Sequence, residues 1–139
     1  DKGRYDRWKH LSGDHSFKWR SGVKHDCAKI VELAREGTRY CNGLGELVEL
    51  DDSFLYPMLK SSDVARGSAK SPGRFMLVTQ RKVGEDTAKI QKVAPRTWKY
   101  LASHDDQFEK RGSSIYRNRP RFSMFGIGDY TFSPFDRIG

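Results

Sequence analysis

The chain has 139 residues and a formal net charge of +8, and 32% of its residues are charged and 12% aromatic. This length is typical of one domain with a modest core, and the aromatic content argues against disorder. The sequence holds no apolar run near the ~18 residues of a membrane span, and its two cysteines are too few for a disulfide framework, so we expect a reduced, cytoplasmic setting.

The first part of the chain differs in pattern from the rest. Residues 1–25 contain glycines and aromatic residues without a sustained period, and we interpret them as an irregular linker or docking segment. Residues 26–139 are predicted to form the domain itself. Because the chain does not begin with Met, we interpret it as a fragment of a longer protein.

Two segments in the first half are predicted to be strands. Residues 28–34 and 45–50 are rich in β-branched and leucine residues, and turn signals separate them. A helix over 28–36 is the alternative for the first segment, because Ile30 and Leu33 also fit one face of a helix.

The middle of the chain predicts a turn, a loop and a buried strand. Aspartates and a serine at 51–53 are a helix-start signal, so a short helical turn is expected over 54–59. The glycine- and serine-rich stretch 66–73 predicts an exposed loop. Residues 75–82 are apolar at first and predict a central strand.

A helix and a final strand pair complete the predicted fold. Pro95 suits a first helical turn, and a helix over 95–110 is expected to bury Trp98, Leu101, Ala102 and Phe108. Alternating apolar residues on both sides of a glycine pair predict two strands within 121–133. The predicted fold class is α+β: a twisted, mostly antiparallel sheet with one or two packed helices.

The positive charge is concentrated in blocks, which favours a nucleic-acid-binding surface. Residues 60–82 carry six basic residues and one acid, and residues 110–121 carry five basic residues and no acid. Residues 26–59, by contrast, carry seven acids and three bases. The predicted contacts are Lys60, Ser61, Ser62, Arg66, Lys70, Arg74, Arg81, Arg111, Arg117, Arg119 and Arg121.

Three of these arginines form a regular pattern. Arg117, Arg119 and Arg121 alternate, and in an extended segment their side chains would project to one side as a comb. Such close cations need phosphates or acids to neutralise them. Phosphate contact is the prediction, and pairing with an internal acid such as Asp129 is the alternative.

The sequence offers little for catalysis. The glycine pair near 126–128 lacks the following helix that a dinucleotide-binding loop needs. His25, Cys27 and Cys41 do not complete a zinc spacing, and no metal site is predicted. Neighbouring serine, histidine and aspartate residues at 103–105 are a weak hint of a triad. We therefore predict no catalytic residue in this chain.

Several motifs, in order, resemble those of a known family. They are WRSGVKHDC at 19–27, NGLGE at 42–46, LYPMLKSSD at 55–63, VGEDT at 83–87, SSIYRNRPRF at 113–122 and FGIGDY at 125–130. Together they resemble the C-terminal target-recognition region of TaqI-like adenine-specific DNA methyltransferases of bacterial restriction–modification systems. The resemblance runs over most of the chain.

The resemblance implies a division of labour. In such enzymes a separate N-terminal domain binds S-adenosylmethionine and carries an Asn-Pro-Pro-Tyr-type motif, which this sequence lacks because Arg119 stands between Asn118 and Pro120. We therefore expect a double-stranded DNA recognition domain that holds no cofactor and partners a catalytic domain of the same chain. The alternatives are a nucleic-acid-acting enzyme or nuclease fragment, and a basic protein-interaction module.

Overall fold

The computed structural model describes Gly3, Asp6, Arg7, Gly13 and residues 20–67 and 73–132. Its strands are β1 (Glu32–Glu36), β2 (Arg39–Cys41), β3 (Leu47–Val48), β4 (Leu55–Pro57) and β5 (Arg74–Leu77). Its α-helices are α1 (Ala28–Val31), α2 (Ser61–Ala65), α3 (Ile90–Val93), α4 (Pro95–Ser103) and α5 (Asp105–Glu109). Short 3-10 helices lie at Asp52–Phe54, Ser114–Tyr116 and Asp129–Phe132. None of the described helices is long and apolar enough to cross a membrane.

Within the described residues, the strands form one sheet in the order β3-β2-β1-β5-β4. Every neighbouring pair is antiparallel. The β1–β2 hairpin turns at Gly37, whose φ of +62° suits glycine because it has no Cβ. The predicted α+β class with a mostly antiparallel sheet is therefore confirmed.

One face of the sheet forms the core with the helices. Leu33, Leu55 and Leu77 lie on this face and are buried. They belong to one apolar cluster with Ile90 of α3 and Leu101 of α4. Full burial of a leucine or isoleucine side chain is worth about 1.5–3 kcal/mol, so this cluster is the main source of the domain's stability.

The predicted strands are present in shortened form. Residues 28–34 begin as helix α1 and become β1 at Glu32, so the helical alternative holds for the first turn alone. The strand predicted over 45–50 covers Leu47–Val48. The strand predicted over 75–82 ends at Leu77 and pairs with β1 and β4, although β1 is the middle strand.

The helical turn predicted over 54–59 is wrong. A 3-10 helix ends at Phe54, and the chain then enters β4, an edge strand that pairs with β5. Pro57 is compatible with that strand because an edge position does not require its missing N–H. The loop predicted at 66–73 begins as a turn at Arg66, and residues 68–72 lie outside the described part.

The helix predicted over 95–110 is present but divided. It begins at Pro95 in the first helical position, and His104, with φ −114° and ψ 20°, separates α4 from α5. The Nδ1 atom of His104 lies 2.8 Å from the carbonyl oxygen of Tyr100, so a side chain takes an acceptor that a continuing helix would use.

The buried face of α4 is rotated from the predicted one. Leu101 is fully buried as expected and Trp98 is half-buried, whereas Ala102 is exposed. Thr97 and Tyr100 are buried instead. Their hydroxyl groups are satisfied, since Tyr100 donates to the Ile30 carbonyl oxygen over 2.8 Å and Thr97 accepts from the backbone of residue 51.

The strand pair predicted over 121–133 is wrong. Phe122 has a φ of +59°, which no strand accommodates, and residues 129–132 form a 3-10 helix. The Thr79 hydroxyl donates to the Phe122 carbonyl oxygen over 2.7 Å, and the Gln80 side chain accepts from the Met124 backbone over 2.9 Å. Phe122 and Met124 are buried as their pattern indicates, but side chains satisfy this backbone where a partner strand was expected. Residue 133 lies outside the described part.

Candidate nucleic-acid interface

A groove of about 410 Å³ lies between α5 and the segment that follows it, and we call it the arginine groove. Four of the predicted contact residues line it, together with two acids and the ring of Tyr116. The arginines are Arg111, Arg117, Arg119 and Arg121, and the acids are Asp105 and Glu109. The groove therefore carries an excess of positive charge on a concave surface, the arrangement that attracts phosphate.

Arg111 holds the walls of the groove together. Its Nε atom donates to the Phe108 carbonyl oxygen over 3.0 Å. Its Nη1 atom donates to the carbonyl oxygens of Ser123, over 2.6 Å, and His25, over 3.3 Å. Burial lowers the pKa of Arg111, although an arginine stays charged at physiological pH. This side chain serves three internal acceptors, and its contact with nucleic acid stays a prediction.

The ring of Tyr116 packs against the guanidinium of Arg111. The Arg111 guanidinium lies 3.7 Å from the centre of the Tyr116 ring, a cation–π distance. Tyr116 also packs edge-on against Phe125, with ring centres 5.7 Å apart. Burial raises the pKa of Tyr116 to about 12, so its phenol is neutral at physiological pH. The ring thus places no negative charge beside the arginines.

Arg117 and Arg119 are exposed cations of the groove. Within the described residues, neither side chain has a hydrogen bond or an ion pair. The Arg119 guanidinium lies 5.7 Å from the centre of the Phe125 ring. The chain turns between the two arginines at Asn118, which has a φ of +55°. Their full charge is available to an anion.

Arg121 has an internal acid as its partner. Its Nη2 atom lies 2.6 Å from Oδ2 of Asp105, and its Nε atom lies 3.4 Å from Oδ1. The extended comb predicted for the alternating arginines is wrong, because the chain turns at Asn118, directly after a 3-10 helix that ends at Tyr116. The three arginines still line one groove, and the acid that neutralises Arg121 is Asp105 of α5.

The other predicted block surrounds helix α2, and two of its cations are paired with acids. Lys60 Nζ lies 2.6 Å from Glu32 Oε2, and Arg74 lies 3.5 Å from an oxygen of Asp63. Asp63 also accepts from the Lys60 backbone over 2.9 Å and so caps the helix. These ion pairs reduce the charge that this surface offers to phosphate.

The remaining members of that block have varied positions. Ser61 and Arg66 are exposed at the two ends of α2, and Ser62 is half-buried. Lys70 lies outside the described residues. Arg81 is exposed and stacks on Phe132, with 4.4 Å between the guanidinium and the ring centre. None of the described members lines the arginine groove, and their contacts with nucleic acid stay predictions.

The residues of the weak triad motif do not assemble. His104 Nε2 lies 2.7 Å from Glu46 Oε2, and Asp105 faces Arg121. Cys27 and Cys41 are free thiols, and His25 accepts a hydrogen bond from the Cys27 backbone. In the part of the chain that the structure describes, no three His, Cys, Asp or Glu side chains come together as metal ligands would.

Asp105 is the groove residue that sequence reasoning missed. It stands 16 positions before Arg121, and no local pattern links an acid in one helix to an arginine beyond the next turn. The sequence indicated only that the closely spaced arginines need a negative partner. The residue that supplied it could not be chosen without the fold.

Comparison with known proteins adds one relative. The chain is 47% identical over 119 residues to the Type II methyltransferase M.NspV of a Nostoc species. The match covers 86% of this chain and 25% of that protein, so the chain spans about a quarter of the relative's length. No protein-family model matches the chain. No solved structure matches it either.

Proposed function

We propose that this chain is the DNA target-recognition region of an adenine-specific DNA methyltransferase in a type II restriction–modification system. Its similarity to a Type II methyltransferase is the observation that carries the proposal. The recognition role and the adenine specificity rest on the TaqI-like motifs. A catalytic domain of the same parent chain would bind S-adenosylmethionine and transfer the methyl group in the cytoplasm.

The arginine groove supports this proposal as a surface for the DNA backbone. Arg117 and Arg119 are exposed and have no ion-pair partner among the described residues, so each gains most from a phosphate partner. Arg111 keeps the groove in shape through its carbonyl contacts. Phosphate contacts of this kind fix the position of the protein on the duplex, and base contacts then select the site.

Binding of duplex DNA tests the proposal. Arg117→Ala and Arg119→Ala should each weaken binding to any duplex and lower the salt slope of the binding constant by about one unit. Lys99→Ala is the matched control, because Lys99 is an exposed cation of α4 that does not line the groove. Fluorescence anisotropy across about 50–200 mM salt measures both quantities.

A second assay separates the proposal from its alternatives. The purified chain, mixed with S-adenosylmethionine and duplex DNA, should transfer no methyl group, because it lacks the Asn-Pro-Pro-Tyr-type motif. Methyl transfer would contradict the recognition role, and magnesium-dependent cleavage would favour a nuclease. Absence of duplex binding by the wild-type chain would instead favour a protein-interaction module.

A further inference from the structure

Arg121 differs from its neighbours in the groove because an acid holds it in place. Asp105 contacts the edge of the guanidinium formed by Nε and Nη2, at 3.4 and 2.6 Å. The side chain also lies against aromatic rings, 4.9 Å from the centre of Phe122 and 5.7 Å from that of Trp98. Its orientation is thus set before any ligand arrives.

The contact with Asp105 leaves part of Arg121 unused. A guanidinium has five N–H groups, and the edge facing Asp105 takes two of them. The outer edge, between Nη1 and Nη2, keeps two parallel N–H groups, and half of the side chain is exposed, at 51%. Two parallel donors match the O6 and N7 acceptors of guanine in the major groove.

The same contact makes Arg121 a poor phosphate ligand. Asp105 neutralises its charge at hydrogen-bond distance, and a phosphate brought to this site would be repelled by the carboxylate. Guanine carries no net charge, so the carboxylate does not oppose it. Arg117 and Arg119, which lack such a partner among the described residues, keep the phosphate role.

We infer that Arg121, oriented by Asp105, reads a guanine in the major groove of the target DNA. The inference rests on the proposed function and deepens it, since it separates one base-reading arginine from two phosphate-binding ones. It requires the preferred DNA site to contain a G·C pair at the position that Arg121 reaches. Asp105 is then a positioning residue, because it acts through Arg121.

Selection from a random duplex library with the 139-residue chain tests the inference. The wild-type chain should enrich a motif with a G·C pair, and Arg121→Ala should lose the preference at that pair alone. The expected loss of discrimination is about 5- to 150-fold, with the salt slope unchanged. Arg121→Lys keeps a cation but offers no planar pair of donors that Asp105 can orient, so it should retain only part of the preference.

Asp105→Asn gives a result of opposite sign on random DNA. Loss of the carboxylate restores the full charge of Arg121, so binding to random duplexes should tighten and the salt slope should rise, while discrimination at the G·C pair falls. Arg96→Ala is the control, because Arg96 is an exposed arginine paired with Glu49, at 3.8 Å, and does not line the groove. Unchanged thermal midpoints establish that the variants fold.

Each remaining outcome overturns a stated claim. Absence of duplex binding by the wild-type chain would overturn the proposed function and this inference together. Wild-type binding without any base preference would also overturn both, whereas a preferred motif without a G·C pair would overturn the inference alone. So would an Arg121→Ala variant that weakens selected and random duplexes equally with a slope lower by about one, since that result identifies a phosphate contact. If Arg121→Ala and Asp105→Asn changed nothing, the ion pair would be a packing feature.

Discussion

Arg111 and Arg117 line the same groove, yet Arg111 makes internal hydrogen bonds and Arg117 is exposed. Arg111 donates to three backbone carbonyls that come from separate segments of the chain. Arg117 is exposed and has no side-chain partner among the described residues. Residue type alone predicted both as contacts, and the difference lies in which acceptors the fold places near each guanidinium.

Arg111→Ala should lower the stability of the domain. It removes the Arg111 donor from the carbonyls of Ser123 and His25, whereas the Phe108 carbonyl still accepts from backbone N–H groups, and hydrogen bonds to charged groups contribute about 1.5–3 kcal/mol each. We expect a loss of about 2–4 kcal/mol in the free energy of unfolding, measured by urea denaturation. Arg111→Lys should recover only part of it, since one ammonium does not reproduce the planar fork. Equal stability of the wild type and both variants would show that the Arg111 contacts do not stabilise the domain.

His25 should make stability depend on pH. Burial lowers the pKa of His25, against the opposing effect of Glu32, and its Nδ1 atom accepts from the Cys27 backbone in the neutral form. The unfolded chain, with an ordinary pKa near ~6.5, then binds the proton more readily than the folded one. Stability is therefore present at higher pH and falls as the pH drops below ~6.5.

Asn provides a neutral comparison for that histidine. His25→Asn retains a hydrogen-bond acceptor and removes the titrating group, so its stability should change less than that of the wild type between about pH 7.5 and 5.5. Urea midpoints at the two pH values measure the difference. Parallel loss in both proteins would assign the pH dependence to other groups.

At the scale of elements, helix α4 depends on one leucine. Leu101 is fully buried in the core cluster, so Leu101→Ala should cost about 2–5 kcal/mol in the free energy of unfolding. Lys99→Ala on the exposed side of the same helix should stay within about 0.5 kcal/mol. Denaturant midpoints compare the two, and equal midpoints would show that the core does not rest on this face.

Two glycines with similar backbone angles should respond differently to substitution. Gly126, with φ +68°, lies so close to Gly22 that an added Cβ would overlap the Gly22 carbonyl oxygen. Gly37, with φ +62°, has open space around it. Gly37→Ala should cost about 1–2 kcal/mol for the left-handed backbone alone. Gly126→Ala should cost more and should break the bridge between Lys24 and Phe125, seen as faster amide exchange there.

Sequence reasoning succeeded where a local pattern determines the element. The turn at Gly37 follows from the turn signals after residue 34, and the start of α4 follows from Pro95 in the first helical position. It failed for 121–133. Alternating apolar residues predict which side chains are buried, but a strand also requires a neighbouring strand that hydrogen-bonds to its backbone. Here the buried side chains of Thr79 and Gln80 satisfy the backbone, a long-range contact that no local period encodes.

At the scale of the whole molecule, folding brings acids beside some of the basic residues. The acid-rich stretch 26–59 supplies Glu32, which pairs with Lys60 beside α2. Asp63 pairs with Arg74 within the basic block itself. The groove beyond α5 retains four arginines against two acids. Two of the six basic residues in the 60–82 block, Lys60 and Arg74, are thus paired with acids, whereas Arg117 and Arg119 of the groove have no ion pair among the described residues.

The way the segment around Phe122 and Met124 is held in place affects which sequence changes the protein can tolerate during evolution. It is fastened at fixed points by Thr79, Gln80 and Arg111, and no strand register runs through it. Residues 113–120 between those fastenings are mostly exposed and line the groove. In a paired strand, an insertion would shift the register of every residue pair that follows it. In a loop held at its ends, an insertion only lengthens the loop. We expect that relatives can differ in the length and charge of this loop while the scaffold around it stays unchanged.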